Sequence, residues 1–326
     1  MSYFIHFFDT NSEYNSAYHG SGYTEPWTGY EIENGTLSYN KTEYDYLKET
    51  PLTFEILSSG NITWYYEGDV GGKTIEYNKN NGTWTSCPPN TVINVSSGDT
   101  LQFRGNNDTY YDDEYGSSTQ FSNGNGCQFR VKGNIMSLIT STGFTTATTL
   151  QSAYTFYTLF KNCNGLTDAS NLVLPATTLA NRCYSNMFRD CTNLTSASEL
   201  PSTTLADRCY SNMFRGCTSL TSAPELPATT LANYCYQSMF YGCTSLTTAP
   251  ELPATTLAEA CYQRMFSGCT ILNYIKCLAT DISASLCTGE WVNGVAPSGR
   301  FVKAASMSSW TTGVNGIPTN WTIENA

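Results

Sequence analysis

Pro201-Ser-Thr-Thr-Leu-Ala-Asp-Arg-Cys209-Tyr-Ser-Asn-Met-Phe-Arg-Gly-Cys217 is one of four near-copies of a single phrase. Pro175, Pro201, Pro227 and Pro253 each open Pro-(Ala/Ser)-Thr-Thr-Leu-Ala, and each copy runs on through Cys-Tyr to Met-Phe and a second Cys. Cys183, Cys209, Cys235 and Cys261 recur at a spacing of 26, as do Cys191, Cys217, Cys243 and Cys269. A fixed period of this length marks stacked units, each burying its apolar face only against its neighbours. In the second copy Leu205, Ala206, Cys209, Tyr210, Met213, Phe214 and Cys217 recur at three and four, the pattern of one face of an α-helix. Thr203 and Thr204 stand where they would cap it, and Gly216, Gly242 and Gly268 where successive helices would stop. Leu220-Thr-Ser-Ala223-Pro224 leaves room for a short strand, and successive copies would pair about 4.8 Å apart in a parallel sheet. Pro224 and Pro250 lack an N–H and must end that ladder or lie outside it. The two cysteine columns would then face inward.

These units predict an α/β solenoid with a 26-residue period over 141–326, with core repeats at 175–270. Tyr157-Thr-Leu-Phe-Lys-Asn-Cys163-Asn-Gly-Leu166 reads as a worn first copy, and Trp291, Phe301, Trp310 and Trp321 supply a closing cap. Upstream, residues 49–140 show short alternating runs, Leu52-Thr-Phe54-Glu-Ile56 and Leu101-Gln-Phe103 among them, with a hairpin signal at Asn80-Asn81-Gly82. They predict a β-sandwich. Residues 1–48 are Tyr-rich and acidic and low in aliphatics. They read as an extended N-terminal arm that anchors on a partner through Trp27, Tyr30 and Tyr39, because disordered tails are usually poor in aromatics.

The net charge of −11 argues against nucleic acid or an anionic membrane as partner. No apolar run is long enough to span a bilayer, and the start at Met1-Ser2-Tyr3-Phe4-Ile5-His6 lacks the pattern of an export signal. Thirteen cysteines, an odd number sitting mostly in the repeat columns, read as packing thiols in a reducing compartment. No Cys-x-x-Cys occurs and the only histidines are His6 and His19, so no zinc site is expected. Asp108, Asp112, Asp113 and Glu114 could offer oxygen ligands to Ca²⁺, but their spacing matches no calcium motif and a solvated acidic loop is the expectation. No cofactor signature is present.

Comparison of the four copies separates scaffold from surface. Leu, Cys, Tyr, Met and Phe hold their places, whereas position 182 and its equivalents read Arg, Arg, Tyr, Ala, and position 189 and its equivalents read Arg, Arg, Tyr, Ser. Drift of this kind is expected where side chains meet water or a partner. Arg208, Arg215, Tyr234 and Tyr241 are accordingly the candidate ligand-binding residues, of the types enriched at binding hot spots.

The phrase Leu-Pro-x-Thr-Thr-Leu-Ala…Cys-Tyr…Met-Phe…Gly-Cys-Thr-Ser-Leu-Thr resembles the BspA-type leucine-rich repeats of gut Bacteroidota surface proteins, over about residues 150–326. Glu25-Pro26-Trp27, Tyr39-Asn40-Lys41-Thr42, Thr50-Pro51-Leu52-Thr53-Phe54 and Gln102-Phe103-Arg104-Gly105-Asn106 look like segments of structural proteins of crAss-like and related gut phages. The resemblance implies a non-enzymatic virion protein of the fibre or decoration type. Made in the bacterial cytoplasm and carried on the virion surface, it would attach to other virion proteins by its arm and present a leucine-rich-repeat tip to a host-surface glycan or protein. Fibres of this type are usually homotrimers, so the resemblance also implies a trimer. A bacterial cell-surface adhesin and a glycan depolymerase are the alternatives from other classes. The depolymerase needs paired carboxylates, whereas Glu199, Glu225 and Glu251 recur at one repeat position, as scaffold would.

Overall fold

Short strands and turns supply most of the regular structure of the described residues. The computed structural model describes residues 30–33, 36–39, 43–66, 71–112, 116–308 and 310–326, with side chains from Glu43 onward. The order begins β1 (Tyr30–Glu33), β2 (Thr36–Tyr39), α1 (Glu43–Glu49), β3 (Leu52–Ile56), β4 (Gly60–Tyr65), β5 (Ile75–Lys79), β6 (Thr85–Cys87), β7 (Thr91–Val95) and β8 (Thr100–Arg104). It continues with β9 (Tyr111–Asp112), β10 (Ser117–Ser118), β11 (Gln120–Gly124), β12 (Phe129–Asn134), β13 (Leu166–Val173), β14 (Tyr274–Cys277), β15 (Arg300–Lys303) and β16 (Thr322–Asn325). Among the described residues no helix is long and apolar enough to cross a membrane.

A six-stranded sheet, β13-β12-β3-β8-β5-β6, faces a three-stranded one, β11-β4-β7. Alternation puts Phe54, Phe103 and Phe129 of the first sheet against Trp64 and Phe121 of the second, all fully buried. Phe54 stacks on Phe129 with centroids 4.8 Å apart, and Phe121 lies 4.7 Å from Trp64. Asn80 and Asn81 adopt φ of 54° and 57°, the left-handed pair that closes the β5–β6 hairpin. Within the segment read as an arm, β1 pairs antiparallel with β2, and α1 follows against β12 and β13 with no buried residue of its own. The edge strand β13 runs parallel to β12, so the stretch leading into the repeats is hydrogen-bonded into the sandwich sheet.

The repeats themselves correct the sequence-based expectation. The helix expected in each copy does not form: α1, seven residues long, is the only α-helix among the described residues, and the chain is mostly β-strand in several small sheets. The α/β leucine-rich-repeat solenoid is therefore overturned. In place of a helix each copy makes consecutive four-residue turns with one left-handed residue apiece. Arg182, Asn186 and Asp190 have φ of 57°, 58° and 59°, and Arg208, Asn212 and Gly216 repeat the pattern at 55°, 55° and 74°.

The hydrogen bonding explains why this backbone competes with a helix. Odd-numbered N–H groups close their own turns, as from Cys183 to the Ala180 carbonyl and from Ser185 to that of Arg182. Even-numbered N–H groups of Arg182, Tyr184, Asn186, Phe188 and Asp190 donate instead to the carbonyls of Asp207, Cys209, Ser211, Met213 and Arg215 in the next copy. The second copy bonds the third in the same way, from Arg208 through Gly216. Every backbone donor in these ribbons is thus paired, as a buried main chain requires.

Two residues point in and two point out along each ribbon. The inward pairs are Cys209-Tyr210 and Met213-Phe214, followed by Cys217, all buried. Stacking copies aligns them in columns. Phe160, Phe188, Phe214, Phe240 and Phe266 lie 5.3–5.8 Å apart in near-parallel stacks. Phe156, Tyr184, Tyr210, Tyr236 and Tyr262 form a second column at 5.6–6.1 Å. Such offset stacking is the favoured aromatic geometry. The first column continues into the sandwich, where Phe160 lies 5.5 Å from Phe121. At the far end Trp291 meets both columns and is covered in turn by Phe301 and Trp310. There β14, β15 and β16 make a parallel sheet.

The expected strand after each ribbon is absent from the middle copies, and outside the ribbons the β-pairing of successive coils is limited to isolated bridges such as Thr204–Thr230. Pro224, Pro227, Pro250 and Pro253 remove the N–H groups that a continuous ladder would use. Strands form at the two ends of the stack, in β13 and β14, whereas the copy with Ser198 in place of the first proline forms none.

All thirteen cysteines are free and buried. Cys191, Cys217, Cys243 and Cys269 donate their thiols to the carbonyls of Phe160, Phe188, Phe214 and Phe240 in the preceding copy, at 2.9–3.1 Å. Each of those carbonyls already accepts an N–H from its own turn, so the thiol takes its second lone pair. Burial pushes the thiols of Cys183 and Cys269 up to about 12 from an ordinary value of 9.0.

Two outcomes test this packing. An unfolded chain ionises its thiols above about pH 9, whereas the folded chain keeps them protonated, so each buried thiol costs about 1.4 kcal/mol per pH unit there. Thermal melts should therefore be flat up to about pH 8.5 and collapse within the next one to two pH units; a melting temperature that holds to pH 11 would contradict the buried columns. The second outcome separates two glycines of one column. A Cβ at Gly216 would run into the Asp190 carboxylate, whereas at Gly242 it would meet nothing within 4 Å. Gly242→Ala should cost about 1 kcal/mol for its left-handed backbone alone. Gly216→Ala should cost more in denaturant titrations, with the excess removed by Asp190→Ala.

Candidate functional site

The outward pairs of the ribbons build one continuous face. Its first column holds left-handed residues, Tyr154, Arg182, Arg208, Tyr234, Ala260 and Leu286, with φ between 48° and 59°. A second outward column, Lys161, Arg189, Arg215, Tyr241 and Ser267, lies seven residues further along each copy. These are the drifting positions of the sequence. The scaffold leaves them free because the inward pairs and the main chain carry the packing.

Arg208, Arg215, Tyr234 and Tyr241 are brought together in two pairs. The guanidinium of Arg208 sits over the Tyr234 ring 3.8 Å from its centroid, and that of Arg215 over Tyr241 at 4.5 Å. Such cation–π contacts hold long side chains flat against the surface. Tyr234 donates its hydroxyl to Glu259 at 2.8 Å, and that hydrogen bond raises the tyrosine's pKa. Gln237 bridges the copies, accepting from Arg208 at 3.4 Å and donating to Gln263 at 2.6 Å.

The same face extends toward the sandwich through residues that sequence reasoning missed. Tyr111 of β9 stacks on Tyr154 with centroids 4.4 Å apart, and Tyr157 meets both edge-on. Arg182 lies over Tyr154 at 5.2 Å and donates to its hydroxyl. The row therefore runs Tyr111, Tyr154, Arg182, Arg208, Tyr234, with ring and guanidinium faces alternating in pairs. One signal was available: Tyr154 occupies the column of Arg182 once the worn copy is aligned at its offset of 28.

The other candidates do not join this face. Asp112 accepts from the Tyr66 hydroxyl and the Gly72 N–H, both at 3.3 Å, which ties the loop to the sandwich. Asp108 is exposed, and Asp113 and Glu114 lie outside the described residues. Among the described residues no group of three or more His, Cys, Asp or Glu is placed to hold a metal ion. Trp27 lies outside the described residues, while Tyr30 and Tyr39 face each other in the β1–β2 register. Three carboxylates along the repeats are engaged: Asp190 with Arg189, Glu290 with Arg264, Glu251 with Lys276.

Comparison with family models, curated proteins and solved structures finds no match.

Proposed function

We propose that the protein is a non-enzymatic attachment protein of a phage particle. Its N-terminal segment joins it to other virion proteins, and the outer face of the repeats binds the host surface. The observation that carries this reading is the Arg–Tyr face, where Arg208 and Arg215 are held flat on Tyr234 and Tyr241 by a backbone common to all copies. Side chains already parked on their neighbours lose little freedom when a partner arrives. The engaged carboxylates of the repeats favour binding over glycan hydrolysis, which needs a pair of reactive carboxyl groups. The phage context rests on the resemblance of short phrases in the front half of the chain to segments of phage structural proteins.

Replacing Arg208, Arg215, Tyr234 and Tyr241 together by Ala tests the reading in adhesion assays on gut Bacteroidota cells. Attachment of the purified chain should fall at least tenfold, equivalent to about 1.4 kcal/mol. Loss of the two cation–π pairs should lower stability by only about 1–2 kcal/mol, so the variant stays folded. Attachment unchanged in a folded variant would reject this face as the binding surface.

A further inference from the structure

The Arg–Tyr face has a charge arrangement that points to the chemistry of its ligand. On the repeats, Arg189, Arg264 and Lys276 each pair with a carboxylate. Arg182, Arg208 and Arg215 form no ion pair among the described residues, although the chain carries eleven more acidic than basic groups. Arg182 and Arg208 occupy equivalent positions on adjacent copies, both half-buried. Arg182 reaches back to Tyr154 in the preceding copy, and Arg208 reaches forward to Tyr234 in the following one. Two uncompensated guanidinium groups thus lean apart, with no protein carboxylate taking up the charge. The acids on this face are held elsewhere: Asp190 by Arg189, Asp207 by the Asn233 N–H, and Glu259 by Tyr234.

Guanidinium forks match carboxylate and sulfate oxygens, and a polymer with acidic groups along its length gains charge-assisted hydrogen bonds from each fork in turn. Tyr234, with Arg208 on its ring, adds rigid, amphipathic contact area of the kind that meets the C–H face of a sugar ring, whereas Tyr154 is already covered by Tyr111 and Arg182. The buried aromatic columns beneath this face repeat every 5.3–6.1 Å from copy to copy, comparable to the advance of one sugar unit along an extended chain. We propose that the face binds an anionic polysaccharide lying along the stack of repeats, with acidic groups met by Arg182 and Arg208 and a sugar ring beside Tyr234. This inference rests on the reading of the repeats as an attachment surface and specifies its ligand.

Affinity electrophoresis of the full chain in gels containing polygalacturonate, dextran sulfate or neutral dextran tests it. Retardation is expected with at least one charged polymer, and which one responds distinguishes carboxylate from sulfate. Neutral dextran should have no effect, and added salt should weaken the retardation because the site is partly exposed. Arg182→Ala/Arg208→Ala should reduce apparent affinity at least tenfold. Arg182→Gln/Arg208→Gln should do the same while keeping a polar side chain with the first three carbons of each arginine, which guards against misfolding of the first variant. Arg264→Ala, which removes a guanidinium already held by Glu290, should leave affinity unchanged. Retardation by neither charged polymer, equal retardation by neutral dextran, or full retardation of a folded double variant would each overturn the inference. If cell attachment still depended on Arg208, Arg215, Tyr234 and Tyr241 while no charged polymer bound, the face would be assigned to a protein partner and only the ligand class would fall. Loss of dependence in both assays would remove the attachment reading as well.

Discussion

The structure of the repeats depends on how a main chain that turns every four residues satisfies its hydrogen bonds. A helix satisfies them along its own axis. Here half of the N–H groups close local turns and the other half reach the next copy. A single ribbon would leave its even-numbered donors bare, and bare buried donors are costly. A ribbon is therefore stable only between neighbours. The copies must match in length and register, and that requirement is the origin of the 26-residue period. Thiol and aromatic columns follow from it, since equivalent inward positions are forced into line at the spacing of the hydrogen-bonded ribbons.

A stack of this kind has two ends that lack a neighbour. At the front the sandwich fills that role: Tyr110 and Phe121 donate their N–H groups to the Thr155 and Leu159 carbonyls of the first ribbon. The Cys163 thiol reaches the Phe121 carbonyl at 3.0 Å, as later thiols reach the preceding Phe. Strand β11 thus stands where a preceding ribbon would. At the back the indole N–H of Trp291 donates to the Gly316 carbonyl and that of Trp321 to Ala296, whereas the buried indole N–H of Trp310 has no hydrogen-bond partner among the described residues. One core runs without interruption from Leu52 to Trp321.

The period, the inward columns and the sandwich hairpin were legible in the sequence; the backbone of each copy was not. Leu205-Ala206, Cys209-Tyr210, Met213-Phe214 and Cys217 repeat at a strict four, and a helix repeats at about 3.6. Over three turns the two patterns diverge by little more than one residue's width, so apolar spacing alone does not separate them. The deciding signal lay in the residues just before each inward pair. Asn186, Asp190, Asn212, Gly216 and Gly242 are types that accept a left-handed backbone, and a regular series of them argues against a helix. Arg182, Arg208 and Tyr234 hid that signal, because nothing in their chemistry announces a positive φ. The Tyr111–Tyr154 stack was hidden for a different reason: it joins the sandwich to the first ribbon, and no local pattern records such a contact.

The same three residues show how scaffold and surface are divided. In the third outward series, Asp190, Gly216, Gly242 and Gly268, glycine relieves the left-handed backbone and leaves little side chain to show to solvent. In the first series Arg182, Arg208 and Tyr234 occupy an equally left-handed position with long side chains, at a cost of about 1–2 kcal/mol each. Cation–π contact between Arg208 and Tyr234 returns a fraction of that, about 0.5–1 kcal/mol at a partly exposed site. Folding alone would be better served by glycine or asparagine along the whole column. A stack that places arginine and tyrosine there, and does so on the face between sandwich and cap, holds strained residues where they contribute least to its own stability. Under the attachment reading proposed above, recognition of an external ligand would be the reason to keep them.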